Sequence, residues 1–293
     1  MSRLSQTRAL YTLVAAATLV ACSSSSGSDG QGTATFTTWG EDYIEKEIPA
    51  KDGAETIVED GWTIHYNKFL VNIGSVKVAD AAGTIAGEMT ISKLFDHTKP
   101  GVKPVISFPS IAAKAWTHVS FEILPVTAGT DATNVTPADK DLMVKNGYSV
   151  YFDAVATRGA VTKKYTWGFK TRTLYDRCKG MLGGKEVEGA LITNGGTDTM
   201  ELTIHADHFY YDDLQAPEAK IRFDAIANAD KDNDGTVTFE ELATVKRAEL
   251  RTPDATYGAG EEPNIITLQD YITALSRTLG HFRGEGECFA SKK

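Results

Sequence analysis

A basic excess is missing from this sequence. Across 293 residues, 30 Lys and Arg face 39 Asp and Glu, a formal net charge of −9. Nothing offers the cationic face that a phosphate backbone requires, so nucleic acid is excluded as a partner. A long apolar run is missing too: the stretch Ala9 to Ala21 is too short for a stable membrane span. There is no nucleophile elbow, phosphate-binding loop or dinucleotide fingerprint, and the glycine pairs Gly183-Gly184 and Gly195-Gly196 sit where turns are expected. Without a catalytic motif the expectation is a binding protein and not an enzyme. No internal repeat is present, and no sustained helical period occurs before residue 215. Cysteine is scarce, at three residues.

What is there reads mainly as strand. Thr33–Thr38, Trp62–Tyr66, Phe69–Val78, Val105–Phe108, Trp116–Leu124, Ser149–Ala156, Lys164–Phe169 and Met200–His205 are short runs rich in β-branched and aromatic residues. Between them lie turn pairs such as Ala82-Gly83, Asn146-Gly147 and Gly195-Gly196. Many short strands broken by turns predict an antiparallel sandwich or barrel over residues 33–215. The polar stretch Asp42–Asp60 reads as a loop with at most a short helix. Helical text begins near Ala216, so residues 216–293 are expected to form a helical region.

Residues 1–21 have the layout of an export signal, with Arg3 and Arg8 ahead of the apolar stretch. The stretch ends in Leu19-Val20-Ala21-Cys22, which resembles the lipobox of bacterial lipoproteins. That resemblance implies cleavage before Cys22, acylation of Cys22 and a lipid anchor. With Ser23 following the cysteine it implies the outer membrane. Residues 22–32 are rich in Ser and Gly, the composition of a flexible tether. Cys178 and Cys288 then remain, and in an oxidising envelope a disulfide between them is expected. It would close a loop of about 110 residues, worth roughly 4–5 kcal/mol, and would staple the helical tail to the strands.

The segment Asp230-Lys-Asp-Asn-Asp-Gly-Thr-Val-Thr-Phe-Glu-Glu241 carries oxygen-bearing side chains at loop positions 1, 3, 5, 9 and 12 and glycine at position 6. It looks like an EF-hand calcium loop. Asp230, Asp232 and Asp234 would give carboxylates, Thr236 its carbonyl, Thr238 a contact through water and Glu241 both oxygens. The resemblance implies an incoming helix over Pro217–Ala229 and an exit helix over Thr238–Leu250. Val237 at position 8 is apolar, as where two such loops pair, yet no second loop with this spacing occurs. A lone hand of this kind predicts weak calcium binding, on the order of 10⁻⁴–10⁻³ M, in a structural or adhesion role.

A second metal constellation is Thr203-Ile-His205-Ala-Asp207-His208. Two imidazoles and a carboxylate this close can converge on zinc, copper or iron. His281, beside Glu285 and Glu287, would join them if the disulfide holds the tail near the strand. Strict alternation opposes this, since it sends His205 and His208 to opposite faces of an unbent strand. The text partly resembles the metallo-β-lactamase zinc motif, but Thr203 replaces its first histidine and the alternating strands and helices of that fold are missing. His65, His97 and His118 are scattered and are expected at the surface or hydrogen-bonded.

Overall fold

The computed structural model describes residues 30–49, 57–260 and 262–293. The export signal, Cys22 and most of the tether lie outside the described residues. The chain is mainly β. Its strands are β1 (Gln31–Trp39), β2 (Thr63–Ala79), β3 (Ile85–Glu88), β4 (Lys93–Asp96), β5 (Lys103–Ala112) and β6 (Ala115–Trp116). There follow β7 (His118–Ile123), β8 (Asp131–Ala132), β9 (Val150–Arg158), β10 (Val161–Phe169), β11 (Thr173–Asp176) and β12 (Lys179–Leu182). The last are β13 (Lys185–Glu188), β14 (Ala190–Leu191), β15 (Thr197–Ile204), β16 (Gly280–Phe282) and β17 (Phe289–Lys292). The α-helices are α1 (Glu41–Glu45), α2 (Pro137–Asn146), α3 (Asp224–Ala227), α4 (Phe239–Leu242) and α5 (Leu268–Leu275). Among the described residues no helix is long and apolar enough to cross a membrane.

Two sheets dominate. One is four-stranded in the order β16-β15-β1-β5, and the other is nine-stranded around the path β10-β9-β2-β7-β11-β17. In β1, Ala34, Phe36 and Thr38 point inward while Thr33, Thr35 and Thr37 are half-exposed, the alternation that marks a strand with one buried face. The expectation of antiparallel pairing fails at two strand pairs: β1 pairs with β15 in parallel, from Thr33↔Thr197 to Trp39↔Thr203, and β4 pairs with β8 in parallel at Lys93↔Asp131 and Leu94↔Ala132. A parallel pair needs a long crossover, and between β1 and β15 the chain forms eight of the nine strands of the larger sheet, β17 alone following β15.

The runs Trp62–Tyr66 and Phe69–Val78 merge into β2, with a register shift between Tyr66 and Lys68 and a second irregularity between Gly74 and Lys77. Phe69 to Gly74 are all buried. Alternation is lost there because Leu70 packs on its outer side with Leu94, Val126 and Met143, the last from α2. On the inner side Phe152 of β9 is ringed by Phe69, Tyr165, Trp167, Phe169 and Phe209, with centroid separations from 4.9 to 6.0 Å.

The C-terminal segment ties the sheets together. Its β16 extends the four-stranded sheet through β15, and its β17 extends the nine-stranded sheet through β11. Between them Cys288 is bonded to buried Cys178, as expected. The helices are shorter than the EF-hand resemblance implies. In place of Pro217–Ala229 there is one turn, α3, and in place of Thr238–Leu250 there is one turn, α4, followed by a 3-10 turn over Arg247–Leu250. The longer α5 starts on a capping box of Thr267 and Asp270, as α4 does on Thr238 and Glu241.

His97 departs from the surface expectation. It is fully buried and neither ring nitrogen has a hydrogen-bond partner. Burial, with the nearby Lys103 ammonium, pushes its pKa down to about 3. The folded ring therefore stays neutral where an unfolded one, at 6.5, takes a proton. Stability contributed by the neutral ring is present above about pH 6.5 and falls as pH drops towards 3, at up to about 1.4 kcal/mol per pH unit. Urea titrations of metal-free protein between pH 7 and pH 4 should show that slope as the difference between wild type and His97→Leu.

Candidate metal centre

The chain bends where the alternation argument requires it to continue. Strand β15 ends at Ile204, and Ala206–Tyr210 form a 3-10 helix. The turn is anchored from the core: Tyr66 Oη donates to the Ala206 carbonyl at 3.1 Å, and the Tyr66, Tyr210 and Tyr165 hydroxyls follow one another at 2.8 Å. Tyr66 has one proton and gives it to Ala206, so Tyr210 donates to Tyr66 and Tyr165 to Tyr210. Burial raises all three phenols well above the usual range, so the chain is uncharged. The bend brings His208 back to the side occupied by His205.

The third imidazole comes from the next strand. In the β15–β16 ladder Thr203 faces His281. The imidazole missing at position 203 thus stands opposite that position on the neighbouring strand. The ring centroids of His205 and His281 are 4.2 Å apart, those of His208 and His281 5.0 Å, and those of His205 and His208 5.4 Å. One ring nitrogen from each of the three lies within 4.8 Å of the other two. His205 and His281 are buried, and His205 Nε2 and His281 Nδ1 have no hydrogen-bond partner. His208 Nδ1 is engaged by Thr278 Oγ1 at 3.0 Å, which leaves its Nε2 as the donor atom. Orphaned buried nitrogens are costly in a finished core and are what an ion would satisfy. Burial, and the neighbouring His281, hold His205 and His208 at about 3, so both rings are neutral and ready to donate a lone pair at neutral pH.

Carboxylates gather on the other edge of His205. Its Nδ1 lies 3.5 Å from Glu41 Oε2 and 4.0 Å from Asp207 Oδ1. Asp207 Oδ2 accepts from the Tyr211 hydroxyl at 3.0 Å, and burial raises its pKa. Asp207 is therefore beside the three imidazoles and not one of the atoms that converge with them. Glu285 completes a second group, in which one atom each from Glu41, His205 and Glu285 lie within 4.8 Å of one another. Glu41 carries no sequence signal. The parallel register that ends at Trp39↔Thr203 brings it alongside His205 two residues later. Its φ of +56° lies in the left-handed region, which a residue with a Cβ enters at a cost of roughly 1–2 kcal/mol. A cleft of about 380 Å³ opens onto the centre, lined by His208, Tyr211, Asp213, His281, Glu285 and Glu287.

The acidic loop forms a separate cluster. Carboxylate oxygens of Asp230, Asp232 and Asp234 lie within 4.8 Å of one another. Gly235 has φ +86° and its N–H donates to Asp230 Oδ2 at 3.0 Å. Thr238 and Glu241 are occupied elsewhere: Glu241 accepts from Lys231 N at 3.0 Å and from Thr238 N at 2.8 Å. Thr236 and Val237 pair with strand β10, through Lys164 N to Gly235 O at 2.9 Å and Val237 N to Lys164 O at 2.8 Å. A sheet strand thus stands where a second calcium loop would pair. Lys163 of the same strand is ion-paired with Asp230 Oδ2, which holds that carboxylate below its ordinary range. Of the other histidines, His65 Nδ1 contacts the Lys46 carbonyl at 2.7 Å and His118 Nδ1 the Thr117 hydroxyl at 3.0 Å, both as expected.

No protein-family model matches the chain, and no curated protein matches it in sequence. Among solved structures it is similar to MbnP from Methylosinus trichosporium, at 11% identity, over 61% of this chain and 76% of that one, with a TM-score of 0.33. A similarity of that size transfers no function.

Proposed function

We propose that this is a transition-metal-binding protein of the bacterial cell envelope, with His205, His208 and His281 as its ligands. The observation that carries the reading is the convergence of three imidazoles from two distant parts of the chain, with two buried ring nitrogens left unpartnered. Imidazole ligands suit zinc and copper, and a three-nitrogen set leaves a position for a fourth ligand. The lipobox resemblance at Cys22 supports the envelope location, and the disulfide fits an oxidising compartment. Metal analysis after exhaustive dialysis tests the proposal. Zinc or copper retained at about one ion per chain supports it, and a metal-free protein that takes up neither ion rejects it.

A second reading, calcium at the acidic loop, rests on one atom. Asp230 Oδ1 is buried without a hydrogen-bond partner beside the Asp232 and Asp234 carboxylates. We read it as a calcium ligand in a structural role, with Lys163 as a built-in competitor for the same carboxylate. Lys163→Met should then raise calcium affinity roughly ten-fold, because an incoming ion no longer displaces an ammonium group. Calorimetry at millimolar calcium checks this. Equal heats for wild type and variant would reject the competition, and no heat from either would reject the calcium reading itself.

A further inference from the structure

We infer that a second cation position exists on the outer edge of His205, formed by its Nδ1 with Glu41, Glu285 and Asp207. The inference builds on the three-imidazole centre, with which this position shares His205. It takes a divalent cation of the zinc or cobalt class through one imidazole and up to three carboxylates.

The distances carry the argument. His205 Nδ1 to Glu41 Oε2 is 3.5 Å, and to Asp207 Oδ1 it is 4.0 Å. Both are too long for hydrogen bonds, which fall below about 3.2 Å. The first matches the spacing of two atoms bound to one ion, since tetrahedral ligands at about 2.0–2.1 Å from zinc lie roughly 3.4 Å apart, and the second exceeds that spacing by about 0.6 Å. Asp207 Oδ1 is buried, has no hydrogen-bond partner and lies beside that nitrogen. Glu285 reaches the same place from the turn that follows His281, where Arg283 and Gly284 both take positive φ. Glu41 reaches it from a strained backbone position after β1. Three segments far apart in sequence therefore direct carboxylates at one edge of one ring, while the opposite edge, Nε2, serves the inner site.

The two positions differ in chemistry. The inner one is nitrogen-rich and buried. The outer one is carboxylate-rich, and exposed Glu285 links it to the cleft. When both are filled His205 bridges them, and its remaining N–H proton passes to solvent. The carboxylates offset the charge of the second ion, which an all-imidazole site could not do.

Zinc titration of the full-length protein by calorimetry tests this, with cobalt absorption spectra as a second readout. The wild type should show a tight step and a weaker one. Glu41→Gln and Glu285→Gln should each weaken only the second step, by at least about ten-fold, the loss typical of a disturbed metal environment. Glu287→Gln removes a charge from the same cleft without touching the position, and should leave both steps unchanged. A single wild-type step that is insensitive to Glu41→Gln and Glu285→Gln overturns the outer position. So does equal weakening of the tight step in both variants, which would assign the carboxylates to the inner ion. If the wild type shows only a step that Glu41→Gln abolishes and His208→Ala does not, the inner site fails and the outer one stands.

Discussion

His205→Ala should lower the affinity for zinc or copper by at least about 100-fold, beyond the range seen when only a supporting group around a metal is lost. The side chain is 3% exposed, and its ring sits between His281 at 4.2 Å and the Glu41 carboxylate. Removing it takes away one of three inner nitrogens and the ring that buried Asp207 Oδ1 faces. The metal-free variant should still fold, because the bend at residues 206–210 is held by Tyr66 and not by the imidazole. Competition against a chromophoric chelator reads the affinity, and circular dichroism verifies the fold. His65→Ala provides a control, since that ring lies outside the centre. Unchanged affinity in His205→Ala would remove the centre from consideration.

Replacing both Cys178 and Cys288 by serine should cost roughly 4–5 kcal/mol, since the bond spans 110 residues of chain. For a protein of this size that lowers the melting temperature by roughly 7–9 °C. The effect should reach the metal as well. His281 lies in β16 and Glu285 on the segment that runs from it to Cys288, and the bond anchors the far end of that segment beside β12. Freed of that anchor, two of the gathered ligands gain conformational entropy that binding must remove. Metal affinity should therefore fall in the serine pair, and in wild type treated with reductant. Denaturant titration and metal competition on the same samples separate the two effects. A large stability loss with unchanged affinity would mean that the strand pairing of β16 alone holds His281 in place.

The strands were legible wherever one face alone is buried. Thr33–Thr38 alternates and becomes the middle of β1, and all of the run Ser149–Ala156 after its first residue falls within β9. Legibility fails where α2 covers the second face of β2, because a run such as Phe69–Gly74 then carries no period. Helix α2 itself was hidden for a related reason. Only Met143 is buried on it, so it has no apolar stripe, and its signals are its ends: Thr136 as N-cap, Pro137 in the first turn and Gly147 at φ +67°. The Asn146-Gly147 pair, which suggests a hairpin, terminates that helix.

At the metal centre, His205, Asp207 and His208 could be picked out because they are close in sequence. His281 could be tied to them through the disulfide. Glu41 could not, since only the parallel register of β1 and β15 brings it there. The acidic loop shows the opposite imbalance. Its spacing is plain in the sequence, but each flanking helix is a single turn and the loop pairs with β10.

The pairing of β1 with β15 also bears on how quickly the protein can fold. Thr38 Oγ1 donates to the Leu202 carbonyl across 164 residues of sequence, and the whole parallel ladder spans similar distances. Chain entropy must be surrendered before such contacts return anything, so a fold rich in them belongs to the slow class, milliseconds to seconds or longer. Because β1 sits between β15 and β5, it has only one partner until nearly two-thirds of the chain has been made. The candidate metal centre is subject to the same delay. Glu41, His205 and His281 meet only once β1, β15 and β16 are assembled, so the centre is completed late in the life of each molecule.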